Sequence, residues 1–203
     1  MRSSGNSLVI ERTRFEIDES TSSLCAWIFE NPNVGLRRSL FWWVEVQGRP
    51  AMHEGRSLTP RVEFEWFRFP VKDWRDLAGQ EHESSPDDTS GPASLCLDEH
   101  EPAEDHSLTI GRRDGASFEI GWELIVYSRE WFSRGDGCNI HVRVRAKLPF
   151  RGVFVDVCEP NEQSLRQAES IAARFVDVAQ LEPARLVRNR FGVTRILMPS
   201  RLG

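Results

Sequence analysis

Apolar and polar residues alternate along most of the chain, and the alternation is cleanest around residue 140. Ile140, Val142, Val144, Ala146 and Leu148 interleave with His141, Arg143, Arg145 and Lys147, the period of a strand with one face buried and one in water. Pro149-Phe150-Arg151-Gly152 reads as a turn, after which Val153, Val155 and Val157 continue the pattern. The period changes after Pro160 and Asn161. Leu165, Ala168, Ala172, Phe175 and Ala179 recur at steps of three and four, with Ile171, Val176 and Val178 widening the stripe. This spacing predicts an amphipathic helix whose apolar face lies on the sheet.

Earlier segments read as strands. Leu8 and Ile10 share one parity and Phe15 and Ile17 the other, which predicts a bend between them. Leu24 to Phe29 forms a short apolar strand, and Leu40-Phe41-Trp42-Trp43-Val44 is apolar on both parities, as expected of a central strand covered on both faces. In Val62 to Phe69, Val62, Phe64 and Trp66 take one face while Phe67 and Phe69 take the other, and a bulge near Trp66 reconciles them. Residues 71–78 suit a short helix or turn that packs Trp74 and Leu77. Asp114-Gly115 is a hairpin signal leading into Phe118, Ile120, Trp122, Leu124 and Val126. Paired antiparallel with the strand near residue 140, that segment turns Glu119 and Glu123 toward Arg143 and Arg145. The predicted fold class is therefore α+β: a mainly antiparallel twisted β-sheet, with a mixed sheet left open, one long amphipathic helix on one face and a long acidic loop.

Charge is distributed unevenly. Residues 81–105 hold nine acids (Glu81, Glu83, Asp87, Asp88, Asp98, Glu99, Glu101, Glu104, Asp105) and no Lys or Arg, which outweighs the net charge of −5 and leaves the remaining chain net basic. The stretch is expected to be a flexible acidic loop. With 203 residues, a single domain over 1–203 is expected, with a loose tail after 198. The opening residues carry no apolar signal-peptide core, and the longest apolar run is too short to cross a bilayer, so a cytoplasmic protein without membrane attachment is expected. Cys25, Cys96, Cys138 and Cys158 are widely spaced without a CxxC pair, the pattern of free thiols rather than of a zinc site built on four cysteines.

Chemistry is harder to read. No phosphate-binding loop, GxGxxG, GxSxG, HExxH or calcium-loop pattern is present. His100 and His106, among Glu101, Glu104 and Asp105, form the densest set of metal-ligand residue types, yet their first reading is an acidic surface loop; no metal or cofactor is predicted. His141 with Glu119 or Glu123 is the candidate general base of a hydrolase or isomerase acting on a small molecule, in a pocket lined by Trp122 or Trp131. Arginine pairs at 37–38 and 112–113 and the stripe through Arg143, Arg145 and Lys147 would suit single-stranded nucleic acid, but lysine stands only at positions 72 and 147 and the acidic stretch competes, so nucleic-acid binding is disfavoured. The expectation requiring fewest assumptions is a non-catalytic protein-binding module of the immunity or inhibitor type. Its partner would be a basic protein, and a homodimer is compatible with it. The partner-binding candidates are Trp131 and Phe132 together with Asp87, Asp88, Asp98, Glu99, Glu101, Glu104 and Asp105.

Overall fold

The computed structural model describes residues 6–85, 91–129, 131, 137–157, 159–188 and 194–201. In chain order the strands are β1 (Ser7–Ile10), β2 (Thr13–Phe15), β3 (Ser23–Asn31), β4 (Leu36–Gln47), β5 (Ala51–His53), β6 (Arg56–Leu58), β7 (Arg61–Phe67), β8 (Glu81–Glu83), β9 (Ala93–Cys96), β10 (His100–Asp114), β11 (Ser117–Ser128), β12 (Cys138–Val155), β13 (Arg185–Arg188) and β14 (Thr194–Pro199). Among the described residues there is one α-helix, α1 (Leu165–Ala172), which extends a 3-10 turn at Glu162–Ser164. This is the mixed, mainly antiparallel sheet with a helix packed on one face that the patterning predicts.

Hydrogen-bonded neighbours run β11, β10, β9, β7, β4, β3, β12, and β12 pairs again with β11, so the strands close on themselves. Closure depends on the length of β12. Its first half lies between β11 and β1 and its second half between β3 and β14, with the β3 ladder parallel. Alternate side chains then face one interior: Phe118, Ile120, Trp122, Leu124 and Val126 from β11 and Ile140, Val142, Val144 and Leu148 from β12 are all buried. Trp74, in a short 3-10 turn, stacks on Phe150 at 5.0 Å between ring centroids and caps this core.

The expected turn at residues 149–152 is a bend within a continuous strand. The Phe150 N–H donates to the Ala116 carbonyl, so the ladder continues to the corner, and the register against β3 shifts between Phe150 and Val153. Gly152 makes the bend with φ +128°; a Cβ there would overlap the Met198 carbonyl oxygen and lie 2.7 Å from the Pro199 Cα. Both requirements select glycine.

The bulge expected near Trp66 is present. The β4–β7 register skips between Trp42↔Phe67 and Val44↔Phe64, and Trp66 takes φ +61°. The extra residue brings Phe64 and Phe67 to the same side, stacked at 4.4 Å, and leaves Trp66 exposed. The helical stripe is shorter than its apolar period. Asn161 and Ser164 form a capping box, α1 buries Ala168, Ile171 and Ala172, and the chain leaves the helix after Ala173 before a 3-10 turn at Val178–Gln180. Val176 and Val178 are poor helix formers, and Asp177 starts the next turn by accepting the Ala179 N–H.

The acidic stretch departs most from expectation. Glu81–Glu83 pairs with β10, Ala93–Cys96 is inserted between β7 and β10, and β10 begins at His100. Acidic composition had suggested a loop, but charges at outward positions leave a ladder intact when the inward positions, here Leu95, Leu108 and Ile110, are apolar. Residues 86–90, including Asp87 and Asp88, lie outside the described residues. The segment after 198 is tied rather than loose as far as Arg201: the Ser200 hydroxyl donates to the Phe150 carbonyl at 2.6 Å and the Arg201 Nε to that of Leu181 at 2.8 Å. Among the described residues no helix is long and apolar enough to cross a membrane.

Gly152→Ala combines a positive φ with backbone overlap and is expected to lower stability by at least about 2 kcal/mol. Thermal unfolding checks it, with a fall in Tm of at least about 4 °C expected for a chain of this size.

Candidate functional site

Strands with period two have a second face, and on β4, β7 and β9 it carries charge. Val62, Phe64 and Phe67 of β7 point into the core, so Arg61, Glu63 and Glu65 point outward. Register decides which side chains meet. Arg61 lies opposite Cys96, and Cys96 opposite His100, forming one row across three strands; Glu45, Glu63 and Ser94 form the next. The β9–β10 hairpin turns in the three residues Leu97, Asp98 and Glu99, which is why Cys96 and His100 are cross-strand neighbours.

The side chains converge on Glu63. His100 Nδ1 lies 3.1 Å from Glu63 Oε1, and the Cys96 thiol donates to the same oxygen at 3.5 Å. Arg61 Nε is 3.4 Å from Glu63 Oε2, its Nη1 is 3.7 Å from Glu45 Oε1, and its Nη2 is 3.3 Å from His100 Nε2. Arginine only donates, so His100 Nε2 has to accept, and neutral His100 then carries its proton on Nδ1, facing Glu63. The side chain of Glu63 is 7% exposed and that of His100 is 62% exposed. One carboxylate is thus held beneath an imidazole that solvent reaches.

Burial tunes the surrounding acids. It raises the carboxyl pKa of Glu45, with Arg61 pulling down and Glu63 pushing up; it also raises that of Glu65, with Glu63 adding to the effect. The Cys96 thiol is pushed up to about 12, first by burial and then by the charge of Glu63. Beside Glu45 the outward face turns aromatic. Trp27 and Trp43 stack at 6.1 Å, Phe29 lies between Trp27 and Trp66, and Arg195 sits over the Trp27 ring at 4.3 Å. Cys25, Trp43, Glu45, Arg151 and Phe154 line a small cavity of about 140 Å³ there.

The residues singled out from sequence are dispersed. His141 is exposed and lies opposite Ile125, its backbone N–H held by the Glu11 carboxylate at 2.6 Å. Glu123 faces Arg143, while Glu119 faces Lys147 and accepts from Arg112 at 3.1 Å. His141 and Glu123 line one groove, yet no hydrogen bond joins His141 to either glutamate among the described residues. His106 is buried and stacks parallel to His82 at 5.2 Å between centroids, away from His100. Trp131 is 1% exposed, stacked on His53 at 4.0 Å and edge-on to Phe15. Its backbone N–H donates to the Ser128 hydroxyl, and the ring packs into the interior instead of presenting a surface. Glu101 is buried and accepts the Arg129 N–H at 2.8 Å. Asp98 and Glu99 are exposed at the β9–β10 turn, Glu104 and Asp105 are exposed on β10, and Phe132 lies outside the described residues.

Of the sequence candidates only His100 belongs to the cluster. Glu63 was hidden among aromatic residues, and Cys96 had been read as an inert thiol. Two signals were available: the Cys96-x-x-x-His100 spacing across a turn-like Asp98-Glu99, and the alternation Arg61-Val62-Glu63-Phe64-Glu65, which sets charges beside a core strand.

Comparison with protein-family models found no match, and comparisons with curated proteins and with solved structures found none either. The expectation of a non-catalytic module is corrected by the cluster itself. Glu63, Cys96 and His100 bring ligand atoms within 4.8 Å of one another, an assembly with the chemistry of a metal or catalytic centre. The immunity-type reading had rested on no such centre being assembled.

Trp131→Ala is expected to cost about 3–5 kcal/mol of stability as a core truncation, read by urea unfolding; a binding hot spot would leave the free chain's stability unchanged. For Glu45, a carboxyl pKa raised on folding means that the ionised group disfavours the fold, a cost absent at low pH that develops as pH rises through the folded value. Glu45→Gln is therefore expected to raise Tm at pH 7 to 8, with the gain disappearing below about pH 4. Parallel melts of the two proteins across that range check it.

Proposed function

We propose that the protein is a small-molecule enzyme of hydrolase type whose acid–base pair is His100 held by Glu63. The observation that carries this reading is the 3.1 Å contact between His100 Nδ1 and the buried Glu63 Oε1. Arg61 beside Nε2 sets the tautomer, with the proton on Nδ1 and the lone pair on Nε2. An imidazole oriented by a carboxylate, on a side chain that solvent reaches and with its other nitrogen free to accept a proton once Arg61 moves aside, is the arrangement general base catalysis needs.

The reaction follows from these positions. A water molecule beside His100 gives its proton to Nε2 as its oxygen attacks the electrophilic centre of the substrate. Glu63 stabilises the imidazolium so formed, and the same proton then passes to the leaving group as the bond to it breaks. Arg61 has to release Nε2 for this, and Glu45 lies within reach of its Nη1 at 3.7 Å to receive it. In doing so Arg61 can turn an N–H toward the charge developing on the substrate. Cys96 takes the supporting part: its S–H holds the Glu63 oxygen that faces the imidazole. The Trp27 and Trp43 rings beside Glu45 suit an apolar or ring-shaped part of the substrate.

A panel of chromogenic aryl esters, aryl phosphates and aryl glycosides tests the reading. Wild-type protein is expected to turn over at least one class, and His100→Gln to lower kcat/KM by about 10²–10⁴-fold, with thermal stability little changed because His100 is exposed. Wild-type rates in His100→Gln, or no turnover of any class above buffer, overturn it.

A further inference from the structure

We propose that Glu63, Cys96 and His100 form a zinc site, binding one Zn²⁺ through a carboxylate oxygen, the thiolate sulfur and an imidazole nitrogen. The site is the one given the acid–base role above; with the ion bound His100 is a ligand and no longer the base, so the metal reading rests on donor geometry and charge and stands independently of that turnover.

Geometry comes first. Zinc bonds of about 2.0–2.3 Å in a tetrahedron set donor-to-donor distances of about 3.3–3.8 Å. Here His100 Nδ1 is 3.1 Å and Cys96 Sγ 3.5 Å from Glu63 Oε1, and the three ligand atoms all fall within 4.8 Å. Adjustments of a few tenths of an ångström to somewhat over 1 Å bring them around one ion. Three protein ligands also leave a fourth position, which the exposure of His100 opens to solvent, and that is the stoichiometry of catalytic rather than structural zinc. The donor types agree: thiolate and imidazole favour zinc over magnesium or calcium, whose sites are built of oxygen.

Charge points the same way. Glu45, Glu63 and Glu65 gather around Arg61, with Arg151 also acting on Glu45, and Glu63 repels both other acids, the like-charge crowding that a divalent cation relieves. Arg61 lies across the donors, 3.3 Å from His100 Nε2 and 3.4 Å from Glu63 Oε2. It is the cation the metal displaces, and Glu45 receives it. On binding, the Cys96 thiol loses its proton to solvent and the imidazole proton moves from Nδ1 to Nε2, which the departure of Arg61 leaves free to carry it. The backbone supports the site on both sides: the three-residue hairpin turn fixes Cys96 against His100, and the ladder between β7 and β9 fixes both against Glu63.

The full chain, stripped with a chelator and dialysed, is titrated with Co²⁺ as a spectroscopic stand-in for zinc. One equivalent is expected to bind and to give a near-ultraviolet thiolate-to-cobalt band that Zn²⁺ bleaches. Cys96→Ser is expected to abolish the band, and His100→Ala to weaken Co²⁺ binding at least about tenfold. Should Cys96→Ser fail to fold, His100→Ala, at an exposed position, carries the comparison. Absence of the band in wild type, its persistence in folded Cys96→Ser, or unchanged affinity in His100→Ala overturns the zinc site. His100-dependent hydrolysis that persists under chelation together with a missing band would overturn the metal and spare the acid–base pair; the band without hydrolysis would do the reverse.

Discussion

The ladder between β11 and β12 is the constraint on which the other features depend. It joins the last strands of the sheet to the first, so the fold has a single interior, and the strands around it each give alternate residues to that interior. Once the inward parity is committed to Leu, Ile, Val, Phe and Trp, the outward parity is released from folding duty. Charged residues there cost little because neighbouring strands satisfy the backbone. The Glu63 cluster occupies this released face.

Two of the sheet's local irregularities shape it most directly around the site. At Gly152 the backbone of β12 comes so close to β14 that no side chain fits, and the strand changes partners there. At Trp66 an extra residue in β7 lets two consecutive core phenylalanines share the interior while Glu65 and Trp66 stay outside, next to Glu63. A non-glycine residue at φ +61° is strained, and strain of this kind concentrates beside functional groups. The bulge thus links packing inside the sheet to the composition of the site outside it.

Much of this was legible in the amino-acid order. The alternation of β11 and β12, the Asp114-Gly115 hairpin, the buried Trp74 turn and the bulge at Trp66 all follow from period-two patterning and turn chemistry acting over short distances. The acidic stretch was not, because composition reports net charge whereas strand formation depends on which parity the charges occupy. Trp131 misled for a related reason: a polar loop around a tryptophan says nothing of whether the ring folds back onto Phe15 and His53. The site itself was nearly invisible. Its three members come from β7, β9 and β10, and a linear reading holds no information on the register that sets Glu63 beside the Cys96–His100 pair. Only His100 carried a residue type that drew notice.

A bulged strand also constrains how this chain can change over time. Along β7 the outward positions can exchange one charged or polar side chain for another without disturbing Val62, Phe64 or Phe67, so variation by substitution is open to the site. Variation by length is not. Deleting Trp66 would restore an unbroken alternation with Phe64 and Phe67 still inward but would remove the ring that Phe29 packs against, while inserting one residue between Val62 and Phe64 would turn Glu63 or Phe64 to the wrong face. Lineages of this protein are therefore expected to keep the length of β7 fixed while the identities on its outer face drift, so that new chemistry can arise on a scaffold whose spacing stays unchanged.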